Sequence, residues 1–549
     1  MAKPTRYTQD MVDEYLSKGY WTGETTSELW DRNAERFGSD EALVDSRSRL
    51  TWLQCKQRSD GLAMNLLDLG FQRDELIFLL VPNCVESYIV RLACEKAGIL
   101  CLTALTGIRE REIAYILKNY AVKGIVIQPL FRGFDYYQAI DGMRADLPDL
   151  KYVFSIGNDV RKNSVSIEDL CQKPAGDLHR FEERRFRMDE VAIVALTSGT
   201  TGMPKVAEHP VAARIALGDS YHKKLDLKKN DIILNVINAV AGLGAPACYS
   251  SVREGAKTVM MEIWNAKEAL RIIEREHPTV LLTTPAQLAM LLQDPDFDHY
   301  DTRSIRVVYC GTSPLSYEIA RTGEARLNAL VLNAYGSFDG GGTSGTTVFD
   351  KEETRLHTAG RPHDGNEVVI IDPEGNPVER GKEGELTFRG PCTCSGYYKD
   401  RERTLEMWGT LGKDGWFHTG DLAKLDQDNN VILTGRKKEV IIRGGQNIYP
   451  PEIEGLLFMH PKVKHVAVVP MPDRIMGEKA CAFVVSKDKE ALTFDEMTAF
   501  LLEKKIAKYK LPERLEIRES LPLRDEQKVA KNILIEEIKT IMKAEGKIE

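Results

Sequence analysis

Several features that define whole classes of protein are missing from this chain. No apolar run approaches the roughly 18 residues of a membrane-spanning helix, and no apolar segment follows the first residues, so neither a membrane anchor nor a secretory signal is predicted. The cysteines are scattered, without a CxxC pair or a His/Cys cluster at zinc spacing, which argues against a structural metal. With 74 basic against 82 acidic residues, no excess charge favours nucleic acid or an anionic membrane. These absences predict a cytoplasmic protein with reduced thiols.

Two common catalytic signatures are also absent. The sequence has no Gly-x-Ser-x-Gly elbow, so it offers no sign of a serine nucleophile. A Walker A loop needs Gly-Lys-Ser/Thr at its end, whereas Met203 and Pro204 separate Gly202 from Lys205.

Residues 196–205 nevertheless have the composition of a loop that holds phosphate. An apolar strand at 191–195 precedes them. Glycines let backbone N–H groups approach an anion closely, hydroxyls donate to phosphate oxygens, and a lysine adds positive charge. The candidate phosphate ligands are Thr197, Ser198, Gly199, Thr200, Thr201, Gly202 and Lys205.

The remaining chain predicts an α/β fold of more than one domain. At 549 residues it exceeds a single hydrophobic core. Helical and strand patterns alternate up to about residue 310, which favours parallel sheets covered by helices. Short strands and turns from about 358 to 434 indicate a small β-subdomain. We predict a large N-terminal domain, 1–435, of two parallel-type sheets plus this subdomain, and a small mobile α/β domain, 436–549.

Individual elements follow from the same patterns. The predicted helices span 52–69, 84–98, 110–119, 267–276 and 494–504, and the predicted strands span 75–81, 98–102, 123–127, 191–195, 231–236, 279–282, 305–310 and 466–469.

The string Leu-Thr-Ser-Gly-Thr-Thr-Gly-Met-Pro-Lys at 196–205 resembles the phosphate loop of the adenylate-forming enzymes, which include acyl-CoA and aryl-CoA synthetases, peptide-synthetase adenylation domains and luciferases. The resemblance covers roughly residues 25–535. Within the family, the sequence is most similar to the aryl-acid branch, which includes 2,3-dihydroxybenzoate-AMP ligases. It implies ATP, Mg²⁺ and CoA as cofactors, a small carboxylic acid as substrate, and a monomer or homodimer.

Two segments resemble the adenine-binding region of that family. Residues 333–339, Asn-Ala-Tyr-Gly-Ser-Phe-Asp, resemble its Tyr-Gly-x-Thr-Glu segment, and 311–313 resemble the glycine-containing adenine wall. Asp339 stands where the family has Glu, and Phe338 where it has Thr. The resemblance implies Mg²⁺ ligands at Asp339 and Thr197, and these nucleotide contacts: Gly311, Thr312, Ser313, Asn333, Ala334, Tyr335 and Gly336.

The C-terminal half carries further matching motifs. Thr-Gly-Asp at 419–421 implies that Asp421 binds the ribose, assisted by Arg436, and Lys438 occupies the family's hinge position. The loop containing Gly444 and Gly445 resembles the one that admits a pantetheine arm. Lys528 aligns with the adenylation lysine, although Gln527 replaces the usual preceding Gly. Lys528, Lys205 and Lys438 are therefore the catalytic candidates.

The resemblance implies an acid-binding pocket around 235–244. The candidate lining residues are Asn238, Ala239, Val240, Gly244, Gly311, Phe338 and Gly340. Ala239 cannot hydrogen-bond a phenol, which argues against 2,3-dihydroxybenzoate. The glycines at 340–342 predict a pocket wall without bulky side chains. We therefore expect a roomy, weakly polar pocket for an aromatic or alicyclic carboxylate. A medium-chain fatty acid is the main competitor.

The predicted activity is an acid:CoA ligase that forms an acyl adenylate and then a thioester. Alternatives are a stand-alone adenylation enzyme that loads a carrier protein, and a luciferase-type oxygenase. The departures at Phe338, Asp339 and Gln527 leave open a protein of the same fold that only binds nucleotide or an acyl group.

Overall fold

The computed structural model describes residues 3–173, 176–197, 205–239, 242–244, 247–412, 414–444, 446–487, 490–524 and 528–547. The α-helices are α1 Gln9–Ser17, α2 Thr26–Arg36, α3 Trp52–Asp68, α4 Val85–Ala97, α5 Glu110–Asn119, α6 Tyr136–Gly142, α7 Ile167–Gln172, α8 Val211–Leu225, α9 Ala247–Glu254, α10 Ala266–Glu276, α11 Pro285–Leu292, α12 Tyr317–Leu327, α13 Glu352–His357, α14 Arg401–Trp408, α15 Pro450–Phe458, α16 Phe494–Glu503 and α17 Lys531–Ala544.

The strands form two large sheets. In spatial order, the nine-stranded sheet is β18 Arg361–Pro362, β17 Gly341–Gly345, β16 Leu330–Ser337, β15 Val307–Cys310, β14 Val280–Thr283, β12 Ile232–Asn235, β13 Lys257–Met260, β1 Glu41–Val44 and β2 Arg49–Thr51. The seven-stranded sheet is β11 Lys205–Pro210, β10 Val191–Thr197, β4 Leu100–Thr103, β3 Leu76–Leu80, β5 Val122–Ile127, β8 Tyr152–Ser155 and β9 Val165–Ser166.

Four smaller sheets complete the fold. A four-stranded sheet comprises β19 Glu367–Ile371, β20 Gly384–Arg389, β21 Phe417–Leu425 and β22 Val431–Arg436; a five-stranded one comprises β24 Gln446–Ile448, β23 Ile441–Arg443, β26 Gly477–Ser486, β25 Val463–Asp473 and β27 Arg514–Arg518. Two hairpins are β6 Leu130–Phe131 with β7 Phe134–Asp135, and β28 Leu523–Arg524 with β29 Lys528–Val529.

Parallel pairing dominates both large sheets, as the alternating pattern predicted. The central pairs of the nine-stranded sheet, from β13 through β12, β14 and β15 to β16, are all parallel, and in the seven-stranded sheet only the pair of β10 with β11 is antiparallel among the described strands. The predicted mixed α/β class with a small C-terminal domain is confirmed.

The strands of the nine-stranded sheet are buried on both faces. Leu281 packs into a core with α10, α11 and α12, while its neighbours Val280 and Leu282 pack into a second core with α8. This alternation is the two-residue period of a strand, and it explains why the central strands are apolar throughout. The carboxyl ends of β12, β14, β15 and β16 lie side by side, the edge at which open parallel sheets bind ligands.

The small C-terminal domain is built on β25 and β26. The predicted strand at 466–469 is longer in the structure, where β25 continues through Pro470 and Pro472. Proline lacks the N–H that a central strand needs, and β25 accommodates two because it is an edge strand that pairs only with β26.

Thr5 and Arg6, here called the N-terminal arm, form hydrogen bonds with β11, the strand that follows the predicted phosphate loop, and with the segments beside it. The Thr5 backbone N–H and hydroxyl donate to the buried carboxylate of Glu208, at 2.8 and 2.7 Å. The buried guanidinium of Arg6 donates to the hydroxyl of Thr393 and to the carbonyl oxygens of Cys394 and Gly412. The arm therefore contributes donors to the core beside β11.

None of the helices in the described part of the chain is both long enough and apolar enough to cross a bilayer.

Candidate active site

The predicted phosphate loop connects the paired strands β10 and β11. Thr197, the last residue of β10, is the cross-strand partner of Lys205, the first residue of β11. Opposed residues in an antiparallel pair have Cβ atoms roughly 5 Å apart. The pairing thus brings two of the predicted ligands together at the base of the loop. The others, Ser198, Gly199, Thr200, Thr201 and Gly202, lie outside the described residues.

Tyr397 joins Lys205 to Asp339. The Lys205 ammonium lies over the Tyr397 ring, 4.9 Å from its centroid, and the Tyr397 hydroxyl donates to Oδ2 of Asp339 at 2.8 Å. Burial, reinforced by the Asp339 carboxylate, raises the pKa of the Tyr397 phenol far above its ordinary value, so the phenol remains a donor. Two predicted site residues, 134 positions apart in the chain, are therefore bridged by a third that the motifs did not indicate.

The donor atoms around this bridge fit a hard divalent cation with phosphate oxygens. The hydroxyl of Thr197 is buried and has no hydrogen-bond partner among the residues that the structure describes. Within the described chain, no hydrogen bond reaches the second oxygen of Asp339. A hydroxyl and a carboxylate oxygen are ligands that Mg²⁺ accepts, with the rest of its shell supplied by phosphates and water. Over the same residues, no group of three or more His, Cys, Asp or Glu side chains could hold a metal alone.

A second polar group surrounds Asp421. The Tyr335 hydroxyl donates to Asp421 Oδ2 at 2.6 Å, and Arg436 Nε donates to Oδ1 at 2.7 Å. Burial and the adjacent carboxylate raise the pKa of Tyr335 well above its ordinary value. Each carboxylate oxygen has two lone pairs, so Asp421 retains acceptor capacity for hydroxyls of a ligand. Two predicted nucleotide contacts, Tyr335 and Arg436, thus converge on the carboxylate of a third, Asp421.

Glu385 supports this group from the neighbouring strand. Its carboxylate accepts from the Gly420 backbone N–H at 3.1 Å and from Lys437 Nζ at 3.3 Å. The pKa of Glu385 is lowered to about 2, chiefly by the His418 imidazole, whose Nδ1 lies 3.7 Å from Oε1, and against the effect of burial. Glu385 therefore remains ionised near neutrality and connects the loop before Asp421 to the segment leading to Lys438.

The expected adenine wall lies at the end of β15. Gly311 is packed against the Ala334 carbonyl, and the following Thr312 has φ 75°, a left-handed conformation that a β-branched residue rarely adopts. Asn333 is held by its N–H to the Thr346 hydroxyl at 2.8 Å. Ser313 is exposed, as is Gly336. These segments meet at the carboxyl edge of the sheet.

The expected acid-binding segment is tightly packed. The Ala239 carbonyl accepts from the buried guanidinium of Arg91 at 3.0 Å. A Cβ on Gly244 would collide with the Asn238 carbonyl oxygen. Asn238 is half-buried, whereas Val240 lies outside the described residues.

The prediction that glycines leave an open wall after Asp339 is wrong. A Cβ on Gly340 would lie 2.6 Å from the Phe417 ring, and one on Gly342 would collide with the Leu217 side chain. These glycines make room for neighbouring side chains and not for a ligand. Phe338 is half-buried and packs against the core of the seven-stranded sheet.

The C-terminal candidates occupy turns and hairpins. Lys438 is exposed in the turn between β22 and β23. Gly444 has φ 55°, and its N–H donates to the Met476 carbonyl at 2.7 Å. Lys528 pairs through its backbone with Arg524 in the β28–β29 hairpin, although its side chain and Gly445 lie outside the described structure. Their predicted roles remain predictions.

Replacing Tyr397 with phenylalanine tests the bridge between Lys205 and Asp339. The ring would stay beneath Lys205, but Asp339 would lose the donor that fixes its orientation. We expect the Mg²⁺ affinity of the nucleotide complex to fall by about tenfold, as for other groups that orient metal ligands. Titration calorimetry of ATP at increasing Mg²⁺ measures the change, and Tyr398→Phe is the control. An unchanged Mg²⁺ dependence would separate Tyr397 from metal binding.

Comparison with known proteins identifies the family. A family model described as AMP-binding enzyme matches residues 30–398, and one described as AMP-binding enzyme C-terminal domain matches residues 452–528. Since the first covers more than half of the chain, this protein belongs to the AMP-binding enzyme family, within the adenylate-forming superfamily that the motifs predicted.

Individual relatives agree with that assignment. The chain is 29% identical over 545 residues to 2-hydroxy-7-methoxy-5-methyl-1-naphthoate–CoA ligase of Streptomyces carzinostaticus, covering 96% of each chain. It is 28% identical over 532 residues to medium-chain fatty-acid–CoA ligase of Escherichia coli K12, covering 95% of this chain and 92% of that one. The predicted enzyme class, acid–thiol ligase, is confirmed.

A solved structure agrees in fold. Anthranilate CoA ligase AuaEII in complex with anthranoyl-AMP superposes with a TM-score of 0.85, at 22% identity, over 94% of this chain and 98% of that one.

Proposed function

We propose that this protein is an ATP-dependent carboxylic acid:CoA ligase that acts on an aromatic or alicyclic acid. It forms the acyl adenylate with release of pyrophosphate, then transfers the acyl group to CoA with release of AMP. The observation that carries the proposal is the pair of polar groups at the sheet edge, one joining Lys205 to Asp339 through Tyr397 and the other centred on Asp421.

The first half-reaction brings two anions together, so the protein must chiefly neutralise charge and align the reactants. The carboxylate oxygen attacks the α-phosphorus, and pyrophosphate leaves. Lys205 and the loop that follows Thr197 hold the β- and γ-phosphates. Asp421 and Arg436 hold the ribose, and Lys528 bridges the carboxylate and the α-phosphate.

Mg²⁺ bound by Asp339 and Thr197 would supply positive charge beside the triphosphate. Tyr397 fixes the carboxylate that would hold it.

The second half-reaction needs a different set of residues. A rotation of the small C-terminal domain about Lys438 withdraws Lys528 from the site and brings Gly444 and Gly445 toward the acyl adenylate. The domain boundary at 435/436 belongs to this proposal. The Met476 side chain fills the space beside Gly444, and a pantetheine arm reaches the backbone there once this flexible side chain moves aside.

The aromatic or alicyclic acid is supported by similarity to an aryl-acid ligase over 96% of the chain. Similar identity to a medium-chain fatty-acid ligase supports the second candidate, a linear acid.

Pyrophosphate release tests the proposal. With Mg-ATP and a panel of aryl, alicyclic and linear acids, we expect turnover only with one acid class and only when CoA is present. A single equivalent released without stimulation by CoA would indicate a carrier-loading adenylation enzyme. Release with none of the acids would contradict the proposal and favour a protein that only binds nucleotide.

A further inference from the structure

Arg214, in α8, is a largely buried arginine for which the described chain shows no ion pair. The residue is only 8% exposed, and among the described residues its buried Nε has no hydrogen-bond acceptor. Burying an unpaired charge is unfavourable, and proteins normally avoid it.

Other buried arginines of the chain show the usual arrangement. Arg355, also 8% exposed, forms an ion pair with Glu324 at 3.0 Å and donates to the Asp350 carbonyl. Arg6 and Arg91 each donate to two or more oxygen atoms. Arg214 is the exception, and its isolation therefore requires an explanation.

The position of Arg214 on α8 directs it toward the predicted acid-binding region. Leu217, three residues later, fills the space beside Gly342, and Gly218, four residues later, contacts the Tyr249 Cβ and backbone. Residues three and four apart share one face of a helix. Arg214 consequently lies on the face of α8 that meets the segment after Asp339 and the helix after the 235–244 segment.

Three side chains close to Arg214, those of His209, Cys394 and Tyr249, are neutral near pH 7. Burial, and then the positive charge of Arg214, lower the pKa of the His209 imidazole well below its ordinary value. Burial raises the pKa of the Cys394 thiol to about 12 and that of the Tyr249 phenol further still, although Arg214 opposes both shifts. Cys394 Sγ lies 3.2 Å from His209 Nδ1 and 3.4 Å from the Phe338 carbonyl oxygen, beside the candidate pocket wall. None of these three side chains supplies an anion to the guanidinium.

We propose that Arg214 binds a second anionic oxygen group on the substrate acid, remote from the carboxylate that is activated. The substrate is then an aromatic or alicyclic dicarboxylate, because a guanidinium matches a carboxylate with two parallel hydrogen bonds. This inference rests on the proposed function, which assigns the reacting carboxylate to Lys528 and leaves Arg214 for the second one.

Matched acid pairs test the inference through turnover. Benzoate is compared with the three benzenedicarboxylates, and cyclohexanecarboxylate with its dicarboxylates, by pyrophosphate release. We expect kcat/KM of the wild type to favour one dicarboxylate over its monocarboxylate by at least about tenfold, because the monocarboxylate leaves Arg214 unpaired. Arg214→Met should abolish or reverse that preference. A wild-type preference for the monocarboxylate, or equal loss with both acids, would overturn the inference.

Thermal unfolding provides a readout that does not depend on turnover. In the absence of acid, Arg214→Met should raise Tm by roughly 2–4 °C, because it removes an unpaired buried charge. The matched control Arg355→Met should lower Tm, because it leaves Glu324 without its partner, and should leave the acid preference unchanged. A fall in Tm on Arg214→Met would show that the guanidinium is satisfied within the protein and would refute the inference.

Ligand-induced shifts in Tm separate this inference from the proposed function. The dicarboxylate should raise Tm of the wild type but not of Arg214→Met, and the monocarboxylate should raise neither to the same extent. If these shifts occur while no acid releases pyrophosphate, the ligase proposal fails and the binding site stands. If pyrophosphate is released but dicarboxylates neither stabilise the protein nor react preferentially, the ligase stands and the site fails.

Discussion

Replacing Lys528 with alanine is expected to abolish acyl-adenylate formation while sparing thioester formation from acyl adenylate that is supplied. In the proposed reaction, the Lys528 ammonium meets charge that develops between the carboxylate and the α-phosphate. Removing one such group commonly costs about 10²–10³-fold in rate. The second half-reaction uses a different arrangement of the small domain, in which Lys528 is withdrawn. Single-turnover assays of the two half-reactions measure the separation.

The control for this substitution lies in the adjacent helix. Lys539 is a half-exposed residue of α17, and within the described chain its ammonium pairs only with Glu536, at 2.8 Å. Lys539→Ala should leave both half-reactions unchanged, because a surface ion pair contributes little to stability. If Lys528→Ala slowed both half-reactions equally, Lys528 would not be specific to adenylation, and the alternation of the two domains would lose its support.

Replacing Asp421 with alanine is expected to raise the KM for ATP by about 10–100-fold. The substitution removes an acceptor of two ribose hydroxyls, and hydrogen bonds to a charged group are worth about 1.5–3 kcal/mol each. It also leaves the Tyr335 hydroxyl and Arg436 Nε without their partner. Initial rates at varied ATP, with saturating acid and CoA, measure the change.

Tyr335→Phe distinguishes loss of the ribose acceptor from damage to the site. This variant keeps the aromatic ring and loses only the donor to Asp421 Oδ2. Its KM for ATP should rise less than that of Asp421→Ala, because the carboxylate that accepts the ribose hydroxyls stays in place. An unchanged KM in Asp421→Ala would remove Asp421 from the ribose site.

Helices and strands were predictable where the local pattern of apolar residues matches the side chains that the fold buries. The helix predicted at 110–119 is α5, and the strand predicted at 123–127 lies within β5, Val122–Ile127. Strand ends were less predictable, because they depend on neighbours distant in sequence. β25 extends past two prolines, and only its place at a sheet edge permits this.

The candidate site was predictable where a motif names its residues. The structure pairs residues that the motifs name, because Thr197 is the strand partner of Lys205 and Asp421 is that of Arg436. Tyr397 was missed because its contacts with Lys205 and Asp339 connect residues 192 and 58 positions away. No local spacing encodes such a contact.

The shape of the acid pocket was the least predictable feature. The glycines at 340–342 were interpreted as leaving empty space in the pocket. In the structure, Phe417 packs against Gly340 and Leu217 packs against Gly342. Whether a missing side chain leaves a cavity depends on what the rest of the fold places there, because protein interiors are close-packed. Arg214 was missed for a related reason, since only the tertiary structure shows that it lacks a partner.

The fastening of the N-terminal arm to β11 determines how the chain tolerates changes at its beginning. Chain ends usually accept truncation because little packs against them. Here Thr5 provides two of the three hydrogen bonds received by the buried Glu208, and Ser395 provides the third. A protein shortened past Thr5 would carry an under-solvated carboxyl group three residues beyond Lys205. Affinity tags and fusion partners therefore belong at a distance from these first residues.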